Sequence, residues 1–245
     1  LRGRDNSHFI SKLFIWGKKE YFKFKKDFNL ISKNALILSG NPRFDLANKK
    51  YKNFHFAKNK KVNVLINSAF GTGNSDINIK DEKLYWMSRA DNFDFKKSFD
   101  FLDPIYTYQK KNFLPFLEDI KKLALKYPKL TFGIRCHPAE NKQVYKIFFK
   151  KIKNFKVLDN SESALYNIFN SDILIHNGCT TAIENTISNK ISICHINHRN
   201  KKFEQYLPVK ISYNSSNFFQ LEKIFRDCIK KKSYDRSKYL KILKY

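Results

Sequence analysis

The sequence predicts an α/β protein built around a parallel sheet, and three observations carry that expectation. Short apolar runs of four to six residues, rich in Val, Ile, Leu and Phe, recur along the 245 residues. Between them lie longer stretches that mix apolar and charged residues at helical spacing, so strand and helix signals alternate as they do in βα units. The composition is 42% hydrophobic and 16% aromatic, enough to fill a core, and a chain of this length buries about 70–75% of its unfolded surface without a disulfide or metal staple.

Taken in order, the strand candidates are 13–16, 35–39, 62–67, 130–134, 155–158, 172–176 and 191–195. They are continuous apolar runs rather than alternating ones, which is the pattern of strands covered on both faces. Helices are predicted over 18–27, 104–126, 142–151, 163–170, 180–188 and 216–231, with further helical stretches near 82–89 and 234–243. From residue 62 onward, five strands with helical connections make one complete Rossmann-like domain. The two earlier strands read as the tail of another such domain. The chain begins at Leu1 rather than Met, so a fragment of a longer protein is expected. The organisation is then residues 1–45 as the end of an N-terminal domain, 46–61 as a Lys- and Asn-rich linker, and 62–245 as the Rossmann-like domain.

Lys and Arg number 48 against 22 Asp and Glu, a formal charge of +26. A field of that sign attracts anions, whether nucleic acid, a membrane face or a phosphorylated substrate. The same excess of Lys, Asn, Ile and Phe is what an AT-rich coding sequence supplies. The basic residues are spread along the chain rather than gathered in one patch, so no specific nucleic-acid partner is expected. The four cysteines, Cys136, Cys179, Cys194 and Cys228, form no CxxC pair, which signals neither a zinc knuckle nor a disulfide framework. No apolar run reaches membrane-spanning length and the first residues lack a signal-peptide core, so a cytoplasmic protein is expected.

In a parallel sheet, ligands sit beyond the carboxyl ends of the strands, and four loops there carry unusual residues. After the strand at 62, Ser68, Gly71 and Gly73 make a small-residue loop whose backbone N–H groups are expected to approach a phosphate or sugar. It matches neither GxGxxG nor a P-loop. After the strand at 130, Arg135 and His137 are donors for a phosphate, Pro138 restrains the backbone, and Glu140 stands at the start of the next helix. After the strand at 172 come Asn177, Gly178, Thr180 and Thr181, a glycine-and-hydroxyl turn into a helix whose free N–H groups suit an anion. Glu184 lies one turn further on, within reach of ribose hydroxyls. Thr181 and Glu184 also fit a capping box, which would turn both side chains onto the backbone. After the strand at 35, Asn41, Arg43 and Asp45 are placed to face an interdomain cleft.

Three motifs, G-N-P-R-F-D at 40–45, R-C-H-P-A-E at 135–140 and S-D-I-L-I-H-N-G-C-T-T-A-I-E at 171–184, together resemble surface carbohydrate biosynthesis proteins. More broadly they resemble the GT-B glycosyltransferase and UDP-GlcNAc 2-epimerase superfamily, in particular CDP-glycerol glycerophosphotransferases and CMP-sugar transferases. The resemblance implies that the chain is the C-terminal nucleotide-binding half of a GT-B fold with a remnant of the N-terminal domain. By it, His137 and Pro138 contact the nucleotide, Thr180 and Thr181 hold its phosphate, and the general base belongs to the N-terminal domain. The implied activity is transfer of a sugar or polyol phosphate from a cytidine- or uridine-linked donor to a surface polysaccharide or lipid-linked acceptor. Arg135, His137 and Glu140 would then serve catalysis without a metal or other cofactor, and the enzyme would work at the inner face of the membrane.

Two other readings stay open. A nucleotide-sugar 2-epimerase would use the same cleft, and a basic nucleic-acid-binding protein would use the charge. No Asp pair is spaced as DxD and no His pair as HExxH, so neither common metal site is signalled.

Overall fold

The computed structural model describes residues 10–27, 35–48, 50–51, 62–75, 81 and 102–231. The helices expected near 82–89 and 234–243 lie outside the described residues.

The described residues form two parallel sheets. The smaller joins β1 (Leu13–Ile15) to β2 (Leu36–Leu38), with α1 (Lys18–Asp27) between them in sequence. Ile15, Ala35 and Leu36 are buried with Tyr21 and Phe24 of α1 packed on them. Phe14 and Trp16, which point to the opposite face of β1, are each 61% exposed.

After Gly40, which takes a left-handed φ of 74° in open space, the short helix α2 (Pro42–Leu46) begins. Asn41 caps it by accepting the Arg43 N–H, and Pro42 occupies the first turn, where a missing N–H costs nothing. Ala47, just past α2, is fully buried among Leu65, Ala182 and Ile183, and its carbonyl accepts from Ser188 Oγ at 2.7 Å. Residues 42–47, which straddle the expected division at 45, therefore pack on the second unit.

The larger sheet has six strands: β3 (Val64–Asn67), β4 (Phe132–Arg135), β5 (Phe155–Val157), β6 (Ile173–His176), β7 (Ile191–His195) and β8 (Tyr213–Ser215). All pairs are parallel, in the order β5-β4-β3-β6-β7-β8. Counted from β3 this is 3-2-1-4-5-6, the doubly wound Rossmann order, which reverses direction between β3 and β6. β8 adds a strand to the five expected. Its Tyr-Asn-Ser sequence carries no apolar run, and two of its three residues are exposed, as an edge position allows.

On one face, Val64, Ile66, Phe132, Ile134, Ile173 and Ile175 pack under α3 (Leu102–Lys126), α4 (Lys142–Phe149) and α8 (Phe218–Lys231). Phe116, Tyr145 and Phe225 fill that layer. On the other face, Leu65 and Leu174 lie under α5 (Ala164–Phe169) and α6 (Thr181–Ile187), with α7 (Tyr206–Lys210) beyond. Alternate residues of each strand thus serve opposite cores, which is why the strands read as unbroken apolar runs. Among the described residues no helix is long and apolar enough to cross a membrane.

Candidate functional site

The reversal point brings three strand ends together. Asn67, the last residue of β3, is in register with Arg135 of β4 on one side and His176 of β6 on the other. All three follow Leu65, Gly133 and Leu174 by two residues, so they project to the α6 face. Asn67 is 2% exposed and its Nδ2 donates to Thr181 Oγ1 at 2.9 Å, while its Oδ1 and the Nε of Arg135 are buried without a partner.

His176 is fully buried and organises the turn before α6. Its Nδ1 accepts from the N–H of Gly178 (3.0 Å) and Cys179 (3.2 Å), so the ring proton belongs on Nε2, which donates to Ser212 Oγ at 2.9 Å. That hydroxyl in turn donates to the Pro208 carbonyl. Burial drives the imidazole pKa down to about 3, so the ring is neutral. Gly178 needs a φ of 99°, open to glycine alone at little cost.

The capping box does not form. Thr180 is the cap residue in helical conformation with no side-chain capping bond, and Thr181 is already inside the helix with its hydroxyl turned to Asn67. The Glu184 carboxylate is 3% exposed and is held by the Arg43 guanidinium through Nε to Oε1 and Nη2 to Oε2. Burial pushes its pKa up, opposed by Arg43 and, less, by Arg135. Arg43, Arg135, Asn67, Thr181 and Glu184 thus gather at one end of one sheet face. Asn41 caps α2 here as well, whereas Asp45 lies in the first turn of α2 with no part in this cluster shown.

The β3 and β4 loops are locked together by Glu140. Its buried carboxylate accepts from Ser68 Oγ (2.5 Å), Tyr145 Oη (2.8 Å), the His137 N–H (3.1 Å) and the Phe70 N–H. Burial raises its pKa and the four donors pull the other way. A carboxylate so occupied is a brace between loops rather than a group open to a substrate, which corrects the catalytic role expected for it; Ser68 is committed to the same brace.

The glycine loop also departs from expectation. The N–H groups of Ala69, Phe70, Thr72, Gly73 and Asn74 donate to Asn177 Oδ1, Glu140, Gln109 Oε1 (twice) and the Phe70 carbonyl, so they are not available to a phosphate. The glycines serve contact instead: a Cβ on Gly73 would lie 2.6 Å from Gln109 Cβ, and one on Gly71 would lie 3.3 Å from His137 Nδ1. His137, Pro138 and Ala139 are exposed at the tip of the β4 loop. The Ala139 N–H donates to His137 Nδ1 at 3.2 Å, which leaves Nε2 to carry the proton outward.

Ser215, His195 and Asp119 form a string, with His195 Nδ1 2.9 Å from Ser215 Oγ and Nε2 3.0 Å from Asp119. Ser215 is 2% exposed and His195 fully buried, so this is a satisfied core network and no nucleophile. Cys136 and Cys194 are buried and their thiols pushed up to about 12, chiefly by burial, which makes them inert fillers. Among the described residues no group of three or more metal-ligating side chains converges.

Gln109, Tyr145, Asn67 and Ser212 were absent from the expected site. Asn67, Gln109 and Ser212 are revealed by partners 36–114 positions away, which no local motif marks, and Tyr145 by its bond to Glu140, five positions before it.

No protein-family model matches the chain, and no curated protein matches it. Solved structures do. A variant of the wall teichoic acid polymerase TagF soaked with CDPG superposes with a TM-score of 0.54 at 14% identity, covering 97% of this chain and 52% of that one. A second TagF variant gives 0.53 at 12%, covering 97% and 55%. The UDP-GlcNAc 2-epimerase of Methanocaldococcus jannaschii, in complex with UDP-GlcNAc and UDP, gives 0.50 at 15%, covering 96% and 61%. The chain shares the fold of these structures and spans about half their length, as a Rossmann-like half with two strands of a second sheet.

Proposed function

We propose that the chain binds a nucleotide-activated donor at the reversal point of its sheet and takes part in metal-independent transfer of a sugar or polyol phosphate to a surface polysaccharide or lipid-linked acceptor. The observation that carries this reading is the gathering of Arg135, Asn67, Thr181, Glu184 and Arg43 beyond the strand ends where the winding reverses, the place where open α/β sheets take their ligands. Thr180, whose hydroxyl makes no capping bond, and Gly178 border the donor phosphate. Arg135 supplies positive charge, and His137 offers its outward Nε2–H to the departing phosphate or the nucleotide, with Pro138 beside it. Glu140 acts through His137 and the β3 loop as a positioning residue. The charge of +26 draws an anionic donor to the cleft and favours peripheral contact with the inner membrane face.

The test is calorimetry with CMP, CDP, UMP, UDP and GDP, with a short DNA duplex as control. Saturable binding of one nucleotide, weakened in a Thr180→Ala/Thr181→Ala double variant, supports the reading and identifies the donor base. Binding to DNA alone, lost steeply with salt, refutes it. His137→Ala should lower turnover about 100-fold with little change in melting temperature. The likeness to an epimerase structure favours a second reading, a nucleotide-sugar 2-epimerase, which release of an altered sugar without any acceptor would identify.

A further inference from the structure

The helices on the two faces of the larger sheet differ in charge. On one face, α3 carries five lysines against Asp103, Glu118 and Asp119, α4 carries Lys142 and Lys146 against no acid, and α8 carries Lys223, Arg226 and Lys230 against Glu222 and Asp227. Two of those acids are already occupied: Asp119 by His195 and Asn197, and Glu222 by Tyr127 and Lys126. Lys150, Lys151 and Lys153, which follow α4, are exposed. On the opposite face α5 has no charged residue, α6 has Glu184 alone and α7 has Lys210 alone. Lysines spread along the sequence are thus collected onto one layer by the winding of the chain.

The solvent side of that layer also holds apolar side chains that the core does not use. α3 sends Phe116, Ile120 and Leu123 into the core. Its opposite side presents Lys111, Leu114, Glu118, Lys122 and Leu125, spaced three and four apart and all exposed. On α4, Ile147 is 66% exposed beside Lys146, and on α8 Phe219 is 75% exposed in a stripe with Lys223, Arg226 and Lys230.

These stripes form one surface, with α3 in the centre. Lys121 of α3 places its Nζ 5.4 Å from the Phe148 ring of α4, and Lys122 places its own 5.8 Å from the Phe218 ring of α8. The 25 residues of α3 make the surface about 38 Å long. Lysines alone suit any polyanion. Leu, Ile and Phe exposed among them suit a partner whose phosphates overlie hydrocarbon, since the lysines reach the headgroups while the apolar tips enter the acyl boundary. Isolated aliphatic side chains gain nothing from a nucleic-acid backbone.

We propose that the face formed by α3, α4 and α8 is a docking surface for an anionic lipid bilayer. Its lysines meet the headgroup phosphates, and Leu114, Leu125, Ile147 and Phe219 enter the interface. The sheet then lies parallel to the bilayer, with the carboxyl ends of its strands opening along the membrane surface. This docking does not depend on what binds at those strand ends.

The experiment is co-sedimentation of the whole chain with vesicles of phosphatidylcholine alone and of equal parts phosphatidylcholine and phosphatidylglycerol, with binding to a short DNA duplex measured in the same buffers. Binding to the anionic vesicles alone, weakened by salt, is expected. Lys111→Gln/Lys146→Gln/Lys223→Gln removes one cation from each helix. All three lysines are exposed and none makes a hydrogen bond or ion pair among the described residues, so the fold is kept. At about 5-fold per cation, this triple variant should bind roughly 100-fold more weakly. Lys23→Gln/Lys25→Gln/Lys210→Gln removes the same charge from exposed positions on other surfaces and should stay within about 2-fold of wild type. Leu125→Ser/Phe219→Ser should weaken vesicle binding on the order of 10-fold. Equal losses in the two triple variants would reduce the effect to net charge and overturn the proposal. Wild-type vesicle affinity in Leu125→Ser/Phe219→Ser, or binding to DNA without binding to vesicles, would overturn it as well. Nucleotide calorimetry tests the donor site separately, and failure there leaves the vesicle result standing.

Discussion

Protonating His176 should unfasten the turn that leads into α6, and the cost can be worked out. The imidazole is held neutral by burial, with a folded pKa near 3 against an ordinary 6.5. Between those values the unfolded chain binds a proton that the folded chain refuses, so stability rises with pH up to about 6.5 and is lost as pH falls below it. One pH unit in that window is worth about 1.4 kcal/mol, so acidifying from pH 7 to pH 5 removes on the order of 2 kcal/mol through this one group. His176→Asn is the matched control. Its amide oxygen stands where Nδ1 does and can still accept from Gly178 and Cys179, although the Ser212 bond is lost. Urea unfolding at pH 7, 6 and 5 should give a variant that is less stable at pH 7 but loses about 2 kcal/mol less than wild type on acidification. Parallel curves for the two proteins would refute the assignment of His176 as a buried neutral acceptor.

Glu140→Ala should cost roughly 3–5 kcal/mol, because Ser68, Phe70, His137 and Tyr145 lose a common acceptor in a buried place; a drop in melting temperature of about 10 °C is the readout. Glu140→Gln keeps one acceptor oxygen and should cost about half as much. Gly73→Ala forces a methyl against the Gln109 Cβ and the α3 backbone, and should destabilise by about 1–3 kcal/mol, whereas Gly71→Ala, with its nearest contact at 3.3 Å, should cost less.

Much of the fold was legible because its strands are buried on both faces. Val64–Asn67, Phe132–Arg135 and Ile173–His176 announce themselves as short apolar runs, since alternate residues feed two separate cores. β8 and α7 went unread, for an exposed edge strand of Tyr-Asn-Ser and a five-residue helix carry no periodicity to detect. The convergence of the polar loop residues was legible too, since the carboxyl ends of a parallel sheet bring those loops together. What each residue does there was not. Glu140 and Ser68 looked available, and only their tertiary partners show them to be spent; the glycines looked like a phosphate cradle, and only the nearness of α3 shows what they are for. Local sequence carries residue type and spacing, but a hydrogen bond between positions 67 and 181 is set by the topology.

The strand order also sets a timetable for synthesis. β3 is the central strand, yet its neighbours come from far downstream: Val64 pairs with Phe132, 68 residues on, and with Ile173, 109 residues on. At elongation rates of about 5–20 residues per second, the ribosome needs roughly 5–20 s after making β3 before its second edge can be covered. During that interval the strand Val-Leu-Ile-Asn, all four residues of which are buried in the finished protein, has an open edge. The nascent chain therefore needs α3 to form early and lie over Val64 and Ile66, and variants that weaken α3 should show their effect first as aggregation during expression rather than as a lower melting temperature of the finished protein.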